Sequence, residues 1–177
     1  MRIIAGQLGG RVFDSPRGHR THPMSDRMRG GLFNTLGDIE DLTILDAFAG
    51  SGALSFEAIS RGANHATAVD IDKNAATTIA DNAIALGVAD RVKAIRAGVA
   101  SWLETTQDNH YFDIITADPP YDDLQDMVLQ KLVSRLNPTG IFVLSWPGKA
   151  EAPLFDNLEL VQQNNYGDGQ LLFYKAI

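Results

Sequence analysis

Short apolar runs alternate with amphipathic segments through the middle of the chain. The apolar runs predict buried strands at residues 43–46, 65–70, 92–96, 112–117 and 140–145. Apolar residues at helical spacing predict helices between them, at residues 53–61, 73–86, 99–105 and 124–136. Strands that alternate with helices indicate an α/β fold with a mostly parallel sheet that is covered on both faces.

The beginning of the chain has a different pattern. Residues 2–5 and 11–13 are short apolar stretches around two adjacent glycines, which is typical of a β-hairpin. Ser25 is a suitable helix N-cap, and apolar residues then repeat at helical spacing up to Gly37. We therefore expect a hairpin extension over residues 1–22 and a larger domain over residues 23–177.

The end of the chain also departs from the alternation. Residues 158–163 and 170–175 flank the turn signal Gly167-Asp168-Gly169. This arrangement predicts an antiparallel hairpin that closes the sheet.

Composition narrows the class of protein. The chain has 177 residues and no cysteine, which excludes disulfides, zinc–thiolate sites and thiol nucleophiles. It has neither a signal peptide pattern nor an apolar run of roughly 18 residues, so we expect a cytoplasmic protein without membrane contact. Its four histidines lack metal-ligand spacing, so no metal site is expected. Both tryptophans are more readily explained as core than as cofactor contacts.

The charge is unevenly distributed. The net charge is −7, yet residues 1–29 contain six arginines and only two aspartates. A basic segment on an acidic protein suits a phosphate backbone, although a solvated surface explains it equally well.

The segment 46–52, with the sequence Asp-Ala-Phe-Ala-Gly-Ser-Gly, directly follows the first predicted strand and opens a helix. Glycines there allow a ligand close to the backbone, and Asp70 ends the next strand where a carboxylate can hold ribose hydroxyls. A nicotinamide site would favour a third glycine, which is missing, and Asp46 would repel a pyrophosphate but attract an aminoacyl ammonium. A tight turn without a ligand is the alternative. The predicted cofactor-binding residues are Asp46, Phe48, Gly50, Ser51, Gly52, Asp70, Ile71 and Val99.

The fourth strand runs into Asp118-Pro119-Pro120-Tyr121. Two prolines stiffen the backbone at the edge of the sheet where ligands bind. The Asp118 carboxylate and the Pro119 carbonyl could accept the two hydrogens of an exocyclic amine, and Tyr121 could stack on a base. The alternative is a proline-stiffened turn with an aspartate cap. We predict that all four residues form the catalytic loop.

These motifs resemble those of amino-nitrogen methyltransferases, and the front of the chain is similar to the RsmD family of bacterial 16S ribosomal RNA guanine-N2 methyltransferases. The similar front segments are Arg2–Gly6, Gly10-Arg11, Thr21-His22-Pro23 and residues 26–34.

The resemblance implies a class I methyltransferase fold: a Rossmann-like, mostly parallel seven-stranded sheet with a C-terminal antiparallel hairpin and a small N-terminal β-hairpin. It implies S-adenosylmethionine as cofactor, S-adenosylhomocysteine as product, and a guanine in 16S rRNA or a small-subunit assembly intermediate as substrate. The RNA-contacting residues would be Arg11, Arg17, Arg20, His22, Arg27 and Arg29.

The chain departs from the family at three places. His22 replaces an arginine, Gly30-Gly31 replaces Glu-Ala in the first helix, and Gly98 or Val99 stands where an aspartate usually holds the adenine amine. Two other functions therefore stay open: an amino-nitrogen methyltransferase acting on DNA adenine or protein glutamine, and a noncatalytic RNA-binding protein.

Overall fold

The computed structural model describes residues 1–18, 24–106 and 110–177. These residues form one sheet flanked by helices. The strands are β1 (Thr43–Ala47), β2 (His65–Asp70), β3 (Val92–Arg96), β4 (Phe112–Ala117), β5 (Leu136–Pro147), β6 (Leu158–Asn165) and β7 (Gly169–Ala176). The helices are α1 (Asp26–Leu36), α2 (Ala53–Ser60), α3 (Lys73–Leu86), α4 (Val99–Thr105) and α5 (Asp126–Val133).

The strand order of the sheet is β3-β2-β1-β4-β5-β7-β6. The strands β1 to β5 are parallel, and β7 is antiparallel to both of its neighbours. The chain runs outward from β1 to β3 and then returns to β4 on the other side of β1. Such a reversal opens a crevice at the carboxyl ends of the central strands, where ligands bind in doubly wound folds. The predicted α/β fold with its antiparallel C-terminal hairpin is confirmed.

Several element boundaries differ from the prediction, and those of β5 and α5 differ most. The fifth strand covers Leu136–Pro147 instead of 140–145, because its first residue already pairs with Phe112 before a register shift in the ladder. Helix α5 begins at Asp126 instead of residue 124, since Gln125 has a left-handed backbone with φ of 53°. A residue in that conformation cannot continue a right-handed helix.

The core lies on the two faces of the sheet. One cluster includes Phe33 and Phe56, and a second includes Trp102 and Trp146. Both tryptophans are buried, as predicted. Within the described part of the chain, no helix is long and apolar enough to cross a membrane.

The N-terminal segment turns back on itself as expected, but its pairing is limited to one antiparallel bridge between Arg2 and Val12. The reason is that the next donors face another element: the amides of Ile4 and Ala5 bond to the carboxylate of Glu57, at 2.8 and 3.1 Å. The segment buries Ile3 in the core beside the sheet. The boundary at residues 22–23 lies outside the described residues and stays a prediction.

Helix α1 follows the predicted limits. The Ser25 hydroxyl accepts a hydrogen bond from the Met28 amide at 3.2 Å, which makes Ser25 the N-cap. Gly37 ends the helix with φ of 75°, a conformation that glycine adopts without strain.

Candidate active site

A cavity of about 610 Å³ opens at the carboxyl ends of β1, β2 and β4. Three aspartates that end these strands or directly follow them line it: Asp46, Asp70 and Asp118. The cavity therefore brings the predicted cofactor acids and the predicted catalytic acid into one space. The other predicted residues in its lining are Phe48, Gly50, Ser51, Ile71, Val99 and Pro120.

Asp46 is nearly fully buried at the end of β1, with 1% of its surface exposed. One carboxylate oxygen accepts hydrogen bonds from the Ser55 amide at 3.1 Å and from the Ser55 hydroxyl at 2.7 Å. Burial raises the pKa of Asp46 to about 7, and the bonds from Ser55 oppose that rise. A cationic group in the cavity would favour the ionised carboxylate and lower this pKa.

Asp70 links β2 to the glycine loop. One oxygen of its carboxylate accepts a hydrogen bond from the Gly50 amide at 2.7 Å, and the other accepts from the Asp72 amide at 2.8 Å. Each carboxylate oxygen can accept a second hydrogen bond. Asp70 can therefore hold the loop in place and still accept bonds from a diol in the cavity.

The loop residues differ in their roles. Gly50 lines the cavity, whereas a side chain on Gly52 would approach Ile79 to 2.9 Å, so Gly52 allows α2 and α3 to pack. Gly52 is not among the cavity-lining residues, although it was predicted to bind the cofactor. Phe48 also lines the cavity. Its φ of 63° is a strained backbone conformation for a bulky residue, and such strain is concentrated at functional sites.

The catalytic loop follows β4 directly. Burial raises the pKa of the Asp118 carboxyl, while a hydrogen bond from the Ser145 hydroxyl lowers it. Pro119 is buried, and Pro120 faces the cavity. The Tyr121 ring is 43% exposed, and its hydroxyl lies 3.1 Å from the Ser145 hydroxyl. Tyr121 is thus available for stacking beside Pro120, although neither Tyr121 nor Pro119 is among the residues that line the cavity.

At the predicted adenine position, Gly98 and Val99 both line the cavity. They offer backbone groups and a buried valine side chain in place of a carboxylate. The departure from the family pattern at this position therefore lies inside the site.

Three further residues of the site were not predicted from the sequence: Ser55, Thr116 and Ser145. Ser55 and Thr116 contact the Asp46 carboxylate, the latter at 3.5 Å. Ser145 contacts the catalytic loop from β5. A polar residue at the carboxyl end of an otherwise apolar strand, such as Ser145, is a signal that could have been used.

The predicted RNA contacts have different environments. Arg17 and Arg27 are exposed. Arg11 donates hydrogen bonds to the carbonyls of Ala85 and Leu86 at 3.0 and 2.9 Å, and so caps the end of α3. Arg20 and His22 lie outside the described residues.

The prediction for Arg29 is wrong, because its side chain is only 1% exposed. Its guanidinium donates to the Arg2 carbonyl at 2.8 Å and to Asp26 at 2.8 Å, and it lies 3.8 Å from the buried Glu57 carboxylate. The side chain joins α1 to α2 and to the N-terminal segment, so it is not available to a phosphate.

The sheet order, the cavity at the strand reversal and the three aspartates define a class I methyltransferase. The family model described as "Conserved hypothetical protein 95" matches residues 1–175. The chain belongs to this family, the RsmD family of S-adenosylmethionine-dependent methyltransferases.

Individual relatives agree with this assignment. The chain is 30% identical to the protein YlbH of Bacillus subtilis (strain 168), over 99% of this chain and 98% of YlbH. It is 35% identical to "Ribosomal RNA small subunit methyltransferase D" of Haemophilus influenzae, over 68% of this chain but only 64% of that protein. Among solved structures, the Escherichia coli protein yhhF superposes with a TM-score of 0.88 at 30% identity, covering 99% of this chain and 97% of yhhF.

Proposed function

We propose that the protein transfers a methyl group from S-adenosylmethionine to the exocyclic N2 amine of a guanine in 16S ribosomal RNA. The observation that carries this proposal is the single cavity that joins the catalytic-loop carboxylate of Asp118 to those of Asp46 and Asp70. The name of the Haemophilus influenzae relative supports a small-subunit ribosomal RNA as substrate. Action in the cytoplasm stays a prediction.

The residues of the cavity fit the proposed cofactor. Asp70 would accept hydrogen bonds from the ribose hydroxyls, since each oxygen keeps acceptor capacity beside its backbone partner. Asp46 would pair with the aminoacyl ammonium, which would compensate its burial. Ile71 and Val99 would contact the adenine. When bound, the cofactor supplies an electrophilic methyl group on a sulfonium.

The catalytic loop would act on the amine by position and charge. The Asp118 carboxylate and the Pro119 carbonyl would each accept one amine hydrogen, which would direct the nitrogen lone pair at the methyl group. The carboxylate would also stabilise positive charge developing on the nitrogen. Tyr121 would stack on the extruded base. The chain has no cysteine, so a covalent thiol adduct with the base is excluded.

The exposed arginines near the beginning of the chain support an RNA partner. Among the described residues, Arg17 and Arg27 have no structural bonds like those that engage Arg11 and Arg29. We infer that these two residues, with Arg20 and His22, contact phosphates next to the target base.

The test uses small ribosomal subunits from a strain that lacks the enzyme, with free 16S rRNA as a parallel substrate. Wild-type protein and isotopically labelled S-adenosylmethionine should yield labelled N2-methylguanosine after digestion to nucleosides. Asp118→Ala should lower single-turnover rates by about 10²–10³-fold, as loss of one such acceptor does in other enzymes. Asp122→Ala, an exposed aspartate of the same loop, is the control and should retain the wild-type rate. Label in N6-methyladenosine, or none in either RNA, would contradict the proposal.

A further inference from the structure

Ser145 contacts Tyr121, the last residue of the catalytic loop, although it lies on another strand. It occupies the carboxyl end of β5, where only 3% of its surface is exposed. Its hydroxyl lies 3.1 Å from the Tyr121 hydroxyl. The Ser145 hydroxyl also lowers the pKa of the Asp118 carboxyl, against the effect of burial.

Ionised Asp118 favours one direction for the hydrogen bond between Ser145 and Tyr121. A carboxylate only accepts hydrogen bonds, whereas a hydroxyl donates one and accepts others. A Ser145 hydroxyl that turns its hydrogen towards ionised Asp118 can at the same time accept a hydrogen bond from the Tyr121 hydroxyl. Protonation of Asp118 removes the charge that favours this direction, because a protonated carboxyl can donate as well as accept.

The neighbouring strand leaves room for Tyr121. Ser145 pairs with Leu171 on β7, and Gly169 lies two residues earlier on the same face of that strand. A side chain on Gly169 would come within 2.7 Å of the Tyr121 hydroxyl and 3.6 Å of the Met28 side chain. The Tyr121 hydroxyl thus lies between Ser145 on β5 and Gly169 on β7.

We propose that Ser145 is a positioning residue that holds Asp118 and Tyr121 in the geometry needed to grip the target amine. The proposal rests on the proposed function. The two prolines stiffen the loop backbone, but they do not fix the side chains at its ends. Ser145 supplies that restraint. Because Gly169 has no side chain, it leaves the space that the Tyr121 hydroxyl occupies.

The consequence for catalysis is a preference for ionised Asp118. Both forms of Asp118 can accept an amine hydrogen, but only the carboxylate carries the charge that offsets the positive charge developing on nitrogen. Since the Ser145 hydroxyl stabilises the charged form, its loss should raise the pKa of Asp118. The methylation rate should then reach its maximum at a higher pH, because a smaller fraction of Asp118 is ionised at a given pH.

The test compares Ser145→Ala with Ser145→Thr, which keeps the hydroxyl. Single-turnover methylation by Ser145→Ala should be about three- to tenfold slower at neutral pH, the effect of one lost hydrogen bond. Its rising pH limb should move to higher pH, and Ser145→Thr should restore the wild-type limb. Cofactor affinity should not change, because Ser145 is not among the residues that line the cavity.

Two further variants test how Ser145 and Gly169 hold the Tyr121 side chain. Tyr121→Phe in the Ser145→Ala background should add little to the loss, since both changes break the same bond. Gly169→Ala should displace the tyrosine and slow methylation with cofactor affinity intact. If Tyr121→Phe had the same effect with and without Ser145, the proposed hydrogen bond between the two residues would be contradicted.

A readout without activity separates this inference from the proposed function. Carboxyl ¹³C NMR titration of the protein alone, with the Asp118 signal assigned by Asp118→Asn, should show a higher pKa in Ser145→Ala than in the wild type. An unchanged titration and an unchanged pH–rate profile would make Ser145 a packing residue only. Failure of the wild type to methylate ribosomal RNA would contradict the proposed function, while the titration would still decide the role of Ser145.

Discussion

The hydroxyl of Tyr166 occupies the space beside Gly31 that a side chain at that position would fill. Tyr166 belongs to the turn between β6 and β7, and Gly31 lies in the middle of α1. The glycine that weakens this helix therefore admits a contact between α1 and the C-terminal hairpin. This contact explains one half of the Gly30-Gly31 departure from the family pattern.

Alanine substitutions at the two glycines should have opposite effects on stability. A side chain on Gly30 meets only the Ile4 methyl, at 3.8 Å, so Gly30→Ala should stabilise the protein by about 0.5–1 kcal/mol through helix propensity. Gly31→Ala has the same propensity gain but displaces Tyr166, and it should destabilise the protein. Urea denaturation measures both changes.

The contact itself can be tested in a double-mutant cycle. In a Tyr166→Ala background, Gly31→Ala should become stabilising, as Gly30→Ala is in the wild type. If Gly31→Ala stays destabilising there, the space beside Gly31 serves another purpose.

Cofactor affinity should depend on pH through Asp46. Burial raises its pKa to about 7, and an aminoacyl ammonium binds the ionised form. Affinity for S-adenosylmethionine should therefore increase as pH rises through about 7 and then level off. Calorimetry between pH 5.5 and 8.5 checks this, with Asp46→Asn expected to bind weakly and without that pH dependence. A flat wild-type profile would remove Asp46 from ammonium binding.

The same shift predicts a stability effect of opposite sign. The folded pKa of about 7 lies above the ordinary value of 3.8, so the folded state binds more protons between these two values. Stability is therefore lost as pH rises from about 4 through 7. At pH 8 and without cofactor, Asp46→Asn should melt at a higher temperature than the wild type. The difference should shrink when both are melted at pH 5.

Asp70 should contribute to cofactor affinity in two ways, through the ribose and through the Gly50 amide that it holds. Asp70→Ala should weaken binding of S-adenosylmethionine by roughly 1–3 kcal/mol, because it leaves polar partners without an acceptor. Calorimetry is the measurement, and the exposed Asp81→Ala on α3 is the control. Equal affinities of Asp70→Ala and Asp81→Ala would exclude a role for Asp70 in the site.

Arg27 and Arg29 lie two residues apart on α1. We expect Arg27 to contribute to RNA binding and Arg29 to contribute to stability. Arg27→Ala should leave stability unchanged and reduce the salt dependence of RNA binding by about one unit, as one lost phosphate contact does. Arg29→Ala should destabilise the protein by about 3–5 kcal/mol, because it leaves the buried Glu57 without one of its cationic neighbours. Filter binding over a salt series and chemical denaturation distinguish them. A stable Arg29→Ala protein with a reduced salt slope would restore Arg29 to the RNA surface.

The sequence was sufficient for the fold class and for the acids of the cavity. Asp46 and Asp70 end predicted strands, and Asp118 directly follows one. The carboxyl ends of parallel strands meet at one edge of a sheet. The glycine loop and the two prolines are equally local signals, since their backbone properties do not depend on distant residues.

The tertiary structure decided which partners these residues have. Arg27 and Arg29 look alike in a basic segment, and only the packing of α1 against α2 buries Arg29 beside Glu57. Ser145 reaches Tyr121 because β5 lies beside β4 in the sheet. Tyr166 reaches Gly31 because the C-terminal hairpin packs against α1, where Asn164 also bonds to Thr35. Strand neighbours arise from pairing between segments far apart in the chain, and hydrophobic periodicity specifies which face is buried without specifying which strand lies alongside.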